Sequence, residues 1–254
     1  MKKNHNLVVA NWKMNPSTLD EAKGIFDYVR SKAEETKNTT IVVCPPFTYI
    51  QPLYKLKFPK NIFLGAQNMS EYEKGAHTGE VSANILKNIG ASYTIIGHSE
   101  RRAAGETDQI IRKKLEIAFA NNLIPILCIG EKERDKEGLH LDFIKNQIID
   151  CLKGLSKKNI TGLIVAYEPI WAIGKSVKEA MNPTDIHVIT LYIKKIVGEN
   201  IDRDTAKTIK ILYGGSVEAE NAGSIMQYGN VNGFLVGHAS LSEQEFYKIL
   251  QATT

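Results

Sequence analysis

The chain has 254 residues, 43% hydrophobic and 24% charged, a balance ordinary for a soluble globular protein and ample for a buried core. Its 32 Lys and Arg against 28 Asp and Glu leave a formal charge of +4, and the two signs alternate, as in "EKERDKEG" at 131–138; this excludes a nucleic-acid stripe and leaves a mild attraction for small anions. No apolar run is long enough to span a membrane, and the one behind the basic start (7–10) is too short for a signal peptide. The three cysteines, Cys44, Cys128 and Cys151, lack metal-ligand spacing, so they read as free thiols in a cytoplasmic protein.

In chain order, short apolar runs alternate with longer amphipathic stretches. The strand-like runs are "LVVAN" (7–11), "TIVVCP" (40–45), "IFLGAQ" (62–67), "YTIIGH" (93–98), "IPILCIG" (124–130), "GLIVAYE" (162–168), "IKILYGG" (209–215) and "GFLVG" (233–237). They are continuously apolar rather than alternating, as parallel strands covered on both faces are. Helical stripes fall at 18–35, 107–122, 139–155, 183–197 and 242–252, with capping-box spacing at Thr18/Glu21 and Ser242/Glu245. Eight such alternations in this length predict an α/β fold, a closed (β/α)8 barrel, with residues 1–254 forming one domain. A doubly wound open sheet would want a glycine-rich turn after the first strand, where this chain has "NWKMNP".

Barrel chemistry sits at the C-terminal ends of strands, so polar residues there matter most. The first strand ends in Asn11, Trp12 and Lys13; alone, Lys13 reads as a surface lysine. The fourth ends in "GHSERR" (97–102), where His98 follows Tyr, Thr and Ile, and where Glu100, Arg101 and Arg102 also suit an ion-pair network. The sixth ends in Glu168. A carboxylate behind apolar walls suits a base near neutral pH, although helix capping or a salt bridge would also explain it. The seventh and eighth end in "YGGSV" (213–217) and "LVGHAS" (235–240), glycine-rich turns at the two places where barrels commonly bind phosphate. No metal-ligand cluster and no nucleophile elbow appear in the sequence. A base, an imidazole and a cation beside a phosphate suit proton abstraction next to a carbonyl. The residues therefore point to a cofactor-free isomerase or lyase for a small phosphorylated carbonyl compound.

At these residues the chain resembles the triosephosphate isomerase family, end to end: "NWKMN" (11–15), "CPPF" (44–47), "GAQNMS" (65–70), "GAHTGEVSA" (75–83), "IIGHSERR" (95–102), "CIGE" (128–131), "AYEPIWAIG" (166–174), "YGGSV" (213–217) and "GFLVG" (233–237). The resemblance implies a homodimeric TIM barrel of glycolysis and gluconeogenesis, using neither cofactor nor metal and bound to neither nucleic acid nor membrane. Its reaction would interconvert dihydroxyacetone phosphate and D-glyceraldehyde 3-phosphate through an enediol. It implies that Glu168 is the base, that His98 polarises the carbonyl as neutral imidazole, that Lys13 supplies positive charge, and that Asn11 holds a substrate oxygen. This division of labour between base and neutral imidazole is a known worked case of the family. Glu100 would support Lys13, and Trp12 falls within the same substrate-binding motif. Backbone N–H groups of Gly174, Ser216, Gly237 and His238 would hold the phosphate. Thr78 would approach the partner subunit's active site, and "PIWAIG" would be a lid. Two places depart from the family pattern: Lys175, Ser176, Val177 and Lys178 replace the usual second lid hinge, and Gly237-His238 stands where the family often has Gly-Gly. Two other functions remain open: an inactive barrel kept as a binding protein, and an isomerase of another small phosphorylated sugar.

Overall fold

The computed structural model describes residues 5–135, 137–175 and 179–254. Strands β1 (Asn6–Asn11), β2 (Thr39–Cys44), β3 (Ile62–Ala66), β4 (Ala91–Ile96), β5 (Ile124–Ile129), β6 (Ile164–Tyr167), β7 (Lys210–Tyr213) and β8 (Gly233–Val236) pair in parallel and in chain order. β8 returns to β1, with Leu7 opposite Gly233 and Ala10 opposite Val236, and the barrel closes. Each expected apolar run holds one strand. The strands stop short of the expected ends because the chain peels off into loops at Gly97, Glu168 and Gly214, which leaves those polar ends at the rim.

Continuous apolarity follows from burial on both faces. Alternate residues such as Leu7, Val42, Ile95, Ile126, Ile164 and Leu212 fill the barrel interior. Their neighbours, such as Val8, Ile41, Leu127, Val165 and Ile211, pack outward against the helices. All three cysteines are free and buried.

The helices are α1 (Leu19–Lys32), α2 (Phe47–Tyr54), α3 (Ala83–Asn88), α4 (Ser99–Ala103), α5 (Asp108–Ala120), α6 (Leu139–Leu152), α7 (Lys157–Thr161), α8 (Pro183–Asn200), α9 (Arg203–Thr208), α10 (Ala219–Tyr228) and α11 (Glu243–Gln251). The five expected helices are present as α1, α5, α6, α8 and α11; the others are mostly a few turns or less, too short to show a periodic stripe. Thr18 caps α1 by accepting from the Glu21 N–H, and Thr107 caps α5 by accepting from the Ile110 N–H. The expected cap at Ser242 is not formed: its side chain makes no capping bond to α11. A 3-10 turn at His238–Leu241 fixes the chain just before it, and Ser242 lines the cavity described below.

Candidate active site

Lys13 leaves β1 in a left-handed conformation, φ 52°, uncommon for a residue with a side chain. Two amides stabilise it. The Asn11 Oδ1 accepts from the Lys13 N–H at 3.1 Å, and Gln67 Nε2 donates to the carbonyls of Lys13 and Cys44, both at 2.8 Å. The Lys13 ammonium meets Glu100 Oε1 at 2.5 Å. Partial burial pushes the Glu100 carboxyl up, but the Lys13 hydrogen bond, the field of His98 and the Lys13 charge together hold it below the usual carboxylate range.

His98 caps α4. Its Nδ1 accepts from the Glu100 N–H at 3.2 Å, so this nitrogen carries no proton and Nε2 is the N–H end of a neutral ring. Nε2 lies 3.2 Å from Glu168 Oε1. The other Glu168 oxygen, Oε2, accepts from the Ser99 N–H at 3.2 Å. Behind this turn Arg102 donates to the carbonyls of Gly97 and Cys128 and pairs with Asp108, while Arg101 pairs with Glu106. These two arginines form the structural ion-pair network that the motif suggested, and Arg102 ties the end of β4 to that of β5.

Glu168 is 3% exposed. Its N–H donates to the Ile129 carbonyl at 2.7 Å. Two glycines let it sit so deep: a Cβ on Gly130 would come 1.9 Å from the Glu168 carbonyl oxygen, and one on Gly214 would come 2.9 Å from its Cγ. Cys128 lies beside it, its thiol pushed well up by burial and then by the Glu168 charge.

The segment after Glu168 turns through a 3-10 helix, Ile170–Ala172, and is tied at both ends. Trp171 Nε1 donates to Glu131 Oε1 at 2.8 Å, and the Tyr167 hydroxyl donates to the same carboxylate at 2.9 Å. Arg134 lies over the Trp171 ring, 5.5 Å from its centre. Further along, the Ala172 carbonyl accepts from the Ser216 N–H (3.2 Å) and hydroxyl (2.9 Å), and the Ser216 hydroxyl accepts from the Lys175 N–H (3.0 Å). Ser176, Val177 and Lys178, where the second hinge departs from the family pattern, lie outside the described residues.

Asn11, Lys13, His98, Glu168, Gly174, Ser216, Gly237 and His238 all line one cavity of about 540 Å³ at the C-terminal mouth of the barrel. Gly237 turns the chain after β8, and its carbonyl accepts from the Ser240 N–H and hydroxyl. His238 has no positive φ, so a side chain at this place costs no backbone strain. Three expected residues stand outside the cavity wall. Trp12 is 1% exposed and belongs to the core, because its side chain points away from the mouth. Glu100 reaches the site through Lys13 and through His98, whose Nδ1 lies 3.7 Å from Glu100 Oε2. Thr78 is exposed on the loop after β3. Gln67, Ser99, Cys128 and Glu131 also support this site and did not stand out as site residues in the sequence. For Gln67 the signal was present: it is the polar last residue of "IFLGAQ".

A family model described as triosephosphate isomerase matches residues 6–253. Among curated relatives, the triosephosphate isomerase of Alkaliphilus metalliredigens (strain QYMF) is 42% identical over 246 residues, covering 96% of this chain and 98% of the relative. That of Alkaliphilus oremlandii (strain OhILAs) is 39% identical over 246 residues with the same coverage. That of Dictyoglomus thermophilum is 40% identical over 249 residues, 97% of this chain and 98% of the relative.

Proposed function

The chain belongs to the triosephosphate isomerase family, and from that premise we propose how its residues share the work. The reaction interconverts dihydroxyacetone phosphate and D-glyceraldehyde 3-phosphate, a step of glycolysis. Glu168 removes a proton from the carbon next to the carbonyl, leaving an enediolate, and returns a proton to the neighbouring carbon. His98 donates from Nε2 to the oxygen that gains charge. Lys13 places its ammonium near the same oxygens, with Asn11 beside it, and Glu100 orients Lys13. The observation that carries this reading is the 3.2 Å approach of His98 Nε2 to the buried Glu168 carboxylate inside a cavity that also holds Lys13 and the Gly237-His238 turn. Donors aimed at developing charge in a dry site are the largest single source of such catalysis.

In the resting arrangement Glu168 is held by the Ser99 N–H, and the Ser216 N–H is taken by Ala172. For the backbone N–H groups of Gly174, Ser216, Gly237 and His238 to hold the phosphate together, Ser216 must leave Ala172. A lid closing over 170–174 would release that donor, free Glu168 to face the substrate, and exclude water from the enediolate. Lid, base and phosphate are thereby coupled through named hydrogen bonds.

The chain works as one domain spanning 1–254, as a homodimer in the cytoplasm. The buried free thiols suit a reducing compartment, and no described helix is long and apolar enough to cross a membrane. The test is a coupled assay of glyceraldehyde 3-phosphate turnover by the purified, folded protein. Turnover is expected, and its absence would overturn the reading. Glu168→Asp withdraws the carboxylate by roughly 1 Å and should slow turnover about a hundredfold; an unchanged rate would mean another base.

A further inference from the structure

No step above uses the side chain of His238, which lines the cavity. The ring is exposed and lines the same cavity as Lys13, His98 and Glu168. It has no hydrogen-bond or ion-pair partner among the described residues. Its neighbour Gly237 backs onto Lys13, where an added Cβ would stand 3.6 Å from the lysine Cε. The imidazole therefore stands at the turn read above as the phosphate cradle, next in chain to the glycine that backs onto the Lys13 side chain. Backbone N–H groups attract an anion equally at any pH. A histidine does not, because histidines ordinarily titrate around pH 6.5.

We propose that the His238 imidazole is a protonatable contact for the anionic end of the substrate, so that anion affinity in this cavity rises as pH falls. The sign follows from linkage. An anion beside the ring favours imidazolium, binding takes up a proton, and affinity grows as the solution supplies it. Among the described residues the other ionisable groups facing the cavity are Lys13 from the end of β1, His98 and Glu168, Lys175 after the lid, Glu218 ahead of α10 and Glu245 from α11. Glu218 and Glu245 oppose an incoming anion, and an imidazolium on the same cavity wall offsets them. The inference rests on the reading of this cavity as a triose phosphate site, and it adds a specificity-determining side chain to what was a backbone cradle.

Inorganic sulfate is the probe. Triose phosphate changes its own charge near pH 6, whereas sulfate stays dianionic, so its titration cannot imitate that of the protein. Its inhibition constant against glyceraldehyde 3-phosphate is measured at pH 5.5 and pH 8 for the wild type, His238→Gln and His238→Lys. The six other groups are common to all three proteins and cancel in the ratios. The preference of the wild type over His238→Gln should be larger at pH 5.5 than at pH 8 by roughly three- to tenfold, the scale of one partly exposed charge contact. His238→Lys, charged at both values, should keep its advantage over His238→Gln at both. A ratio of wild type to His238→Gln that does not change with pH overturns the proposal, because a merely structural role would move both values alike. Sulfate that fails to compete in any of the proteins overturns the cradle reading itself, and the proposal with it.

Discussion

Glu168 is placed by lack of room as much as by attraction. Gly214 stands so close that a methyl group there would meet the Glu168 Cγ at 2.9 Å. That atom is near the root of the side chain and cannot step aside without moving the carboxylate. Gly214→Ala should therefore leave the barrel folded, as read by circular dichroism, and lower kcat/KM by tenfold or more, since displacements on the ångström scale cost that much. Unchanged kinetics would show that the base has slack. At this scale the sequence was most legible where polarity contradicts its surroundings. Lys13, His98 and Glu168 each follow an apolar run, and each lines the cavity. Trp12 read as part of the binding motif only because it lies between Asn11 and Lys13; alternation along an extended chain turns it into the core. Gln67 stood out as a polar strand end, but its partners did not, and Glu131 was not legible, because their work is done on backbone carbonyls and on a tryptophan far away in sequence. Nothing local in the sequence encodes such a partner.

Among elements, the lid gives the sharpest test. Ser216 holds its second half: its hydroxyl donates to the Ala172 carbonyl and accepts from the Lys175 N–H. Ser216→Ala keeps the backbone N–H that the phosphate reading needs and removes only the hydroxyl. A lost hydrogen bond is worth about 1 kcal/mol, and the bond to Ala172 belongs to the arrangement that closure must break, so closure should become easier and kcat/KM should rise about fivefold, with a thermal midpoint within a few degrees of the wild type. A variant as active as the wild type would mean that the hydroxyl does not govern the lid; a collapse in stability would make it a structural bond. Helix ends show how far element-level reading carries. Thr107 caps without a capping box, and Thr18 caps as its capping-box spacing suggests, because each is an extended residue with its hydroxyl aimed back at the first turn. Ser242 has the same spacing and does not cap, since the 3-10 turn before it sets the direction of the chain. Spacing names a candidate cap; the preceding backbone decides it.

For the whole molecule, closure of the barrel was legible because eight two-faced apolar runs leave few other ways to bury themselves. What surrounds the barrel was less so, since a surface meant for a second copy looks like ordinary surface in a single chain. Several exposed apolar side chains belong to the loops and helix following β1 and β3: Met14 is 93% exposed, Ile85 51% and Tyr72 43%. The loop that carries Thr78 is braced by its own contacts. Ser70 and Val81 close it through a backbone hydrogen bond of 2.9 Å, and the Tyr72 and His77 rings stack inside it at 3.6 Å. A preformed loop that exposes apolar groups suits docking with little loss of conformational entropy. The homodimer proposal thus makes a joint demand on assembly and rate. Sedimentation of the wild type should give a dimer. Thr78→Arg puts a charged side chain where the partner's active site would receive a small one; it should shift the protein toward monomer and lower kcat/KM by at least tenfold, because Lys13 and its neighbours would lose the wall that steadies them. A fully active wild-type monomer would break the link between assembly and catalysis, and a Thr78→Arg dimer with unchanged turnover would move the interface elsewhere.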